Sequence, residues 1–316
     1  MSKYLSILTQ DPIAYKVALY EFGGDIVEDI ELIHCTSDPA ELKASKTEIL
    51  LADPDLAATV VEDLPHLQWL QSTWAGNKPL LTHPRKDYLL SGVKDVFAQQ
   101  MAEYTLTHIL NHEHRTSEFQ TLQTEKNWAP PSKSSIKNKC LGIMGFGNIA
   151  QSMVPMLESV GLKIVGLNSS GETVADCSHI HIEGPPDKNI FASQCDYLLN
   201  LLPDTKSTYH FIDKSFTEHL PQNCLFINAG RGTVISDDVL LNALAQGQIK
   251  QAVLDVFERE PLPTKSVLWS HPKIYITQHT AAKSSAEDII DIFVRNFQRF
   301  KTKEPLKYQL SWLKGY

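Results

Sequence analysis

The stretch "GFGNIAQSMVPMLESVGLKIVGLNSS", residues 145–170, decides how the chain is read. Gly145, Gly147 and Ala150 stand at the spacing of a glycine-rich phosphate turn. An apolar run, "CLGIM", precedes them, and a helical pattern followed by a second apolar run, "KIVGL", comes after. In such a strand–turn–helix–strand unit, Gly145 permits the tight turn and Gly147 lets backbone approach a pyrophosphate. Ala150 is small enough for the helix to pack against the strand. The exposed N–H groups and positive end of the helix favour the anion. The usual fingerprint places an Asp or Glu about 20 residues later, on the ribose 2′-hydroxyl. Here that turn carries Asn168, Ser169 and Ser170, which can hydrogen-bond either a hydroxyl or a phosphate. The missing carboxylate removes a charge that would repel a 2′-phosphate. The expected cofactor is NADP, with NAD the alternative. A methyltransferase-type nucleotide site could begin in the same way, and motifs further along decide against it.

Working outward, "DYLLNLL", "LFINA", "QAVLDVF" and "IYITQH" are further strands, and "SDDVLLNALAQGQI" is a helix with Ser236 at its N-cap. The helix after Gly147 is expected to be interrupted at Pro155 and to stop at Gly161. Upstream, residues 98–128 read as one long helix with Met101, Tyr104, Leu106, Ile109 and Leu110 on its apolar face. The Pro- and Ser-rich "APPSKSSIKNK" then forms an exposed connection. The first 100 residues alternate strand-like runs ("YLSIL", "EILLA", "LQWLQST") with helical or turn segments, and "SAEDIIDIFVRNFQRFKTKEP" is a tail helix. This alternation predicts an α/β chain with parallel sheets, and 316 residues suffice for about two domains.

A net charge of -8 argues against binding nucleic acid or an anionic membrane surface, both of which need a basic face. The five cysteines are odd in number, widely spaced and without a C-x-x-C pair, as in reduced cytoplasmic thiols. The N-terminus has too short an apolar run for a secretory segment, and no stretch reaches the ~18–20 apolar residues of a membrane span. The expectation is a soluble cytoplasmic protein. His108, His112 and His114 read as polar residues of a helix surface, and His179 and His181 as one face of a half-exposed strand. No metal site is expected. Met144, Met153 and Met156 read as core filling.

Three residues suggest a chemistry. Arg231 lies between glycines in "INAGRG" at the end of an apolar strand, where it could grip a carboxylate. Glu260 follows the strand "AVLDVF", within which Asp255 stands among apolar neighbours, and His279 ends "IYITQH". A His beside a carboxylate has its charged form favoured and can give or take the proton that accompanies hydride transfer at a carbonyl. Arg231 would bind and polarise a 2-oxo acid.

With these in place, "QQMAEYTL", "GIMGFGNIAQ", "NLLPDTKST", "INAGRGTVISDDVLLNAL", "LDVFEREPLP", "SVLWSHP" and "ITQHTAA" together resemble the D-isomer-specific 2-hydroxyacid dehydrogenase family. The similarity is greatest to its glyoxylate/hydroxypyruvate reductase A branch, which the final Gly315-Tyr316 also resembles. The resemblance implies two Rossmann-like domains with parallel sheets: a discontinuous substrate domain (residues 1–98 and 283–316) and a dinucleotide-binding domain (residues 99–282). It also implies a cleft that closes over substrate and a homodimer with the helix from Ala98 near its interface. The implied activity is NAD(P)H-dependent reduction of a small 2-oxo acid such as glyoxylate or hydroxypyruvate. Arg231, Glu260 and His279 would be catalytic, and Asp255 would lie near the nicotinamide. Gly145, Phe146, Gly147, Asn148, Ile149, Leu202, Pro203, Thr208, Ala229 and Gly230 would border the cofactor. "QSTWAGNKPL" resembles the loop whose amides receive the substrate carboxylate, through Ala75 and Gly76, with Trp74 as a wall. Two departures stand out. Gly76-Asn77-Lys78 replaces the family's Gly-Val-Asp, making Lys78 either a surface residue or a cation for an acidic substrate. "LNSSG" also lacks the arginine common in this turn of the reductase branch. The alternative reading is a nucleotide-sensing, corepressor-like binding protein on the same fold.

Overall fold

A computed structural model describes residues 2–174 and 177–312, so Gly315-Tyr316 lies outside the described residues. The chain forms two compact units, Met1–Val96 with Ser284–Tyr316, and Phe97–Lys283.

The first unit holds β1 (Lys3–Leu8), β2 (Ile30–Thr36), β3 (Ile49–Ala52), β4 (Trp69–Ser72) and β5 (Leu89–Ser91) in a parallel sheet of order β2-β1-β3-β4-β5. β3 and β4 are buried along their whole length, which accounts for unbroken runs such as "ILLA". β2 and β5 were not anticipated. One is a half-buried edge strand and the other has three residues, too short for a periodic pattern. Helix α1 (Pro12–Phe22), the short α2 (Pro54–Ala58) and α3 (Lys78–Leu81), and the C-terminal helix α10 (Ala286–Thr302) complete the unit. Ser285 caps α10, acids occupy its first turn and Arg299 and Lys301 its last, as the helix dipole favours. Its buried face carries Ile289, Phe293, Asn296 and Phe297, with Phe293 stacked on Trp69 at 5.0 Å. Asn296, fully buried, donates to Gln71 Oε1 at 3.0 Å and to Lys307 O at 3.1 Å, and accepts from Lys307 N at 2.8 Å.

The second unit is a seven-stranded parallel sheet: β6 (Cys140–Met144), β7 (Lys163–Leu167), β8 (His181–Glu183), β9 (Tyr197–Asn200), β10 (Cys224–Asn228), β11 (Ile249–Leu254) and β12 (Ile274–Ile276). The order is β12-β11-β10-β9-β6-β7-β8, so the chain reverses direction across the sheet between β6 and β9. The register aligns the last residues of all seven strands: Glu183 with Leu167, Leu167 with Met144, Met144 with Asn200, Asn200 with Asn228, Asn228 with Leu254, and Leu254 with Ile276. The residues that follow them therefore emerge along one edge, where ligands bind in such sheets. Helices α4 (Ala98–His114), α5 (Thr116–Thr124), α6 (Asn148–Ser159), α7 (Lys188–Ser193), α8 (Lys214–His219) and α9 (Asp237–Gln246) accompany it. Ser236 caps α9 by accepting from Val239 N. Met144 and Met153 are wholly buried, and Met156 packs against the core that holds Met153.

Several expectations need correction. The single helix over residues 98–128 is two, broken at Arg115, whose left-handed backbone (φ 53°) terminates α4 with its N–H on Asn111 and His112 carbonyls. Past Ile109 the apolar spacing fades; Leu110 is exposed and α5 buries no residue, so nothing holds the two in line. Pro155 does not interrupt α6, because it lies on the exposed face where the displaced carbonyl of the preceding turn can reach water. Asp255 is not inside a strand but one residue past the end of β11. His108 is not a surface residue: it is buried, edge-on to Tyr104 at 4.5 Å and tilted against Tyr275 at 5.5 Å. None of the five cysteines forms a disulfide. Among the described residues no cluster of His, Cys, Asp and Glu could hold a metal, and no helix is long and apolar enough to cross a membrane.

Candidate active site

The glycine turn begins where β6 ends. Gly145 adopts φ +82°, and a Cβ there would fall 2.8 Å from the Leu201 backbone, so only glycine fits where the loops after β6 and β9 approach. Gly145 N and Phe146 N both donate to Leu167 O at 2.9 Å, and Gly147 N closes the turn on Gly145 O at 2.7 Å. Phe146 is buried in the core, which anchors the turn. A Cβ on Gly147 would meet no protein atom nearer than Gly145 O at 4.0 Å. It would project into open space at the start of α6, where no side chain caps the helix. An uncapped helix start behind an open glycine cradle fits the pyrophosphate of a dinucleotide. Ile149 packs partly against the core, and Asn148 is exposed.

After β7, Asn168 organises its own loop. Its Oδ1 accepts from Gly171 N at 2.7 Å, Ser170 N at 3.1 Å and Ser170 Oγ at 3.2 Å, while Nδ2 donates to Glu172 O at 2.9 Å. The carboxamide is a turn former, and the Ser170 hydroxyl, which also accepts from Glu172 N at 3.2 Å, is engaged within the loop, whereas Ser169 is exposed.

Two buried asparagines that sequence reasoning missed hold the next loops. Asn200 Nδ2 donates to Asn228 Oδ1 at 2.8 Å, Asn200 Oδ1 accepts from Leu202 N at 3.0 Å, and Asn228 Oδ1 also accepts from Gly230 N at 3.3 Å. The only signal was an Asn closing each of two apolar strands. In the loop after β9, the Thr208 hydroxyl donates to Pro203 O and accepts from Thr205 N at 2.9 Å, which folds residues 203–208 into a compact turn. After β10, Ala229 and Gly230 lead to Arg231, whose Nη1 donates to Gly230 O at 2.7 Å. Arg231 forms no ion pair among the described residues, so most of its donor fork is open to a ligand.

Beyond β11, Glu260 Oε1 accepts from Phe257 N at 2.8 Å, and Oε2 meets His279 Nδ1 at 2.7 Å. The hydrogen bond to Glu260 raises the His279 pKa above its ordinary value; burial and Arg231 oppose the rise, and the charges of Glu260 and Asp255 support it. Burial pushes Glu260 up, but its bonds to His279 and Phe257 N, with the charges of His279 and Arg231, bring it below the usual carboxylate value. With Nδ1 on the carboxylate, Nε2 remains to exchange a proton with a ligand. Asp255 shapes the same loop. Its carboxylate accepts from the Thr277 hydroxyl, Thr280 N (2.7 Å) and Ala281 N (3.0 Å), and its carbonyl accepts from His279 N (2.6 Å).

In the first unit, residues 73–76 follow β4. Asn77 is buried and donates to the Trp74 and Ala75 carbonyls at 3.2 and 3.3 Å, while Ser72 Oγ accepts from Trp74 N at 3.1 Å. Trp74 and Ala75 are exposed, Gly76 is half-buried, and Lys78 opens α3 with its side chain exposed. His112 Nδ1 lies 3.1 Å from Gln251 Oε1, and burial lowers its pKa. The strand expected to carry both His179 and His181 begins only at His181; the two exposed histidines pair instead with Glu158 and Glu183 respectively.

Residues 106–281 match the model of the D-isomer specific 2-hydroxyacid dehydrogenase NAD binding domain. A glyoxylate/hydroxypyruvate reductase A from Escherichia fergusonii is 30% identical over 218 residues, 69% of each chain. A crystal structure of a D-isomer specific 2-hydroxyacid dehydrogenase family protein from Aeromonas salmonicida subsp. salmonicida is 31% identical. It covers 99% of this chain and 100% of its own, with a TM-score of 0.91. An NADPH-dependent glyoxylate/hydroxypyruvate reductase from Sinorhizobium meliloti, in complex with NADP and sulfate, is 27% identical over the whole of both chains, with a TM-score of 0.84. The motifs, the two parallel sheets and these similarities agree: the chain belongs to the D-isomer specific 2-hydroxyacid dehydrogenase family and is a nicotinamide-dependent oxidoreductase acting on CH–OH groups.

Proposed function

We propose that the protein reduces a small 2-oxo acid, glyoxylate or hydroxypyruvate foremost, to the D-2-hydroxy acid with NADPH. The observation that carries this is the His279–Glu260 pair, 2.7 Å apart on loops from the strand-end edge that also presents Arg231 with an open fork. The reduced nicotinamide supplies the hydride. Arg231 binds the 2-oxo acid and draws charge toward the oxygen that becomes the hydroxyl. His279, charged by virtue of Glu260, gives that oxygen its proton from Nε2 and recovers it in the reverse direction. Glu260 fixes the ring's tautomer and orientation.

The turn at residues 145–149 is assigned to the pyrophosphate, with Leu202, Pro203, Thr208, Ala229, Gly230 and Asp255 bordering the rest of the dinucleotide. The preference for NADP rests on the absence of an acid at 168 and on the exposed Ser169 and Ser170 that follow it; the S. meliloti relative holds NADP. Trp74, Ala75 and Gly76 are assigned to substrate by the resemblance of their loop, and the first and second units to substrate and nucleotide respectively. A homodimer is also proposed. Helix α5 buries nothing in the monomer and Trp128 is 97% exposed; light scattering at the monomer mass would reject it.

The test is a matrix of 2-oxo acids against NADPH and NADH. Turnover should be greatest with two- and three-carbon acids and NADPH, and His279→Ala should lose about 10²–10⁴-fold in kcat. Cofactor binding without turnover across the panel would favour the nucleotide-sensing alternative. A higher kcat/KM with NADH would reject the NADP assignment.

A further inference from the structure

Asp255 is the hub of the loop that carries His279, and one arm of that hub reaches helix α4. The Tyr104 hydroxyl lies 2.8 Å from Thr277 Oγ1. Thr277 Oγ1 in turn bonds Asp255 Oδ1. A threonine hydroxyl has one proton, and the Asp255 carboxylate can only accept. Thr277 must therefore donate to Asp255, which leaves Tyr104 as the donor to Thr277. The chain of bonds has one direction: Tyr104 O–H to Thr277 O–H to the Asp255 carboxylate. Burial raises the Tyr104 pKa; the bond to Thr277 opposes the rise and the charge of Asp255 adds to it, so the proton stays in place. Packing fixes the ring as well, edge-on to His108.

What this relay supports is a backbone that would not hold itself. Gln278 and His279 both adopt φ +58°, two successive left-handed residues with no glycine between them. Such a conformation persists only where its surroundings over-determine it. The clamps are Asp255's bonds to Thr277, Thr280 N and Ala281 N, and the His279 N–H to Asp255 O. Thr277 enters the strained pair from one side, and Thr280 and Ala281 leave it on the other.

We propose that Tyr104 is a positioning residue for the reaction, acting through Thr277 and Asp255 to hold the His279 loop in its proton-transferring conformation. The proposal rests on the reading of His279 as the acid–base group. It assigns Tyr104 no contact with substrate or cofactor.

The experiment compares Tyr104→Phe, Thr277→Val, their double variant and Thr277→Ser, with His279→Ala in parallel. Phenylalanine keeps the packed ring and removes only the donor. Its kcat for 2-oxo acid reduction should fall about tenfold, below the ~100-fold that a full ångström of misplacement costs. NADPH affinity, read by fluorescence titration, should stay within twofold. Thr277→Val should lose at least as much, and Thr277→Ser, which restores the hydroxyl, should return kcat to within about threefold of the starting protein. The double variant should be no worse than Thr277→Val alone, because the two residues form one chain. Additive losses, a Tyr104→Phe variant within twofold of the starting kcat, or cofactor affinity falling in step with kcat would each overturn the proposal. If His279→Ala is inactive while Tyr104→Phe is unimpaired, the relay alone fails. If His279→Ala keeps its turnover, the acid–base reading itself fails.

Discussion

Gly232, the residue after Arg231, is where a single methyl group should do most damage. A Cβ built there falls 1.9 Å from Phe257 C, 2.2 Å from Glu258 N and 2.4 Å from Phe257 Cα. All three are backbone atoms, so no side chain can swing aside. Bringing the nearest contact out to 3.0 Å, the closest that real Cβ atoms tolerate, takes a displacement of at least 3.0 − 1.9 = 1.1 Å. That displacement falls on the segment whose Phe257 N–H holds Glu260 Oε1, and Glu260 Oε2 holds His279. A shift of about 1 Å in a catalytic group can cost on the order of 100-fold in rate, and forcing atoms into a packed site costs about 1–3 kcal/mol. Gly232→Ala should therefore lose about 100-fold in kcat/KM for 2-oxo acid at saturating NADPH, with a lower thermal midpoint. Since the glycine turn after β6 is untouched, NADPH titration should still show binding. A variant within threefold of the starting kcat/KM, melting at the same temperature, would refute the steric argument.

Gly147→Ala should behave in the opposite way. Its Cβ meets no protein atom within 4.0 Å but enters the open cradle, so thermal stability should hold while NADPH affinity drops at least tenfold, about 1.4 kcal/mol. Glu260→Gln removes the hydrogen-bonded anion that raises the His279 pKa. On the proposed mechanism protonated His279 drives reduction, so activity falls as pH rises through its pKa. In the variant that descending limb should move to lower pH, as a kcat/KM profile would show. Asn296→Ala leaves the backbone N–H and carbonyl of Lys307 without their partner; urea denaturation should report a loss of about 2–3 kcal/mol.

How far the sequence carried the reading depended on where each interaction lies. The glycine turn, Arg231, Glu260 and His279 were legible because each stands at a fixed offset from an apolar strand, and seven in-register parallel strands deliver those offsets to one edge. The breaks between elements were less so. No Gly or Pro marks the end of α4; Arg115 caps it in a left-handed conformation, which local propensity gives no reason to expect.

Interactions between distant segments left hardly any trace. Nothing in "INAGRG" says that its second glycine lies against Phe257, and nothing in "QQMAEYTL" says that its tyrosine bonds Thr277. Asp255 shows the difference most directly. Its chemistry was legible, since an acid among apolar neighbours must find partners. Its neighbours along the chain supply none of them: among the described residues, the donors to its carboxylate come from residues 277–281, beyond the next strand. The carboxylate anticipated as a cofactor contact is thus also what holds the His279 loop. Asp255→Asn separates the two roles: an amide can still accept on one oxygen, but its –NH₂ faces backbone N–H donors and cannot. If the loop-holding role dominates, kcat should fall well beyond any change in NADPH affinity; equal losses in both would make the cofactor contact the larger part.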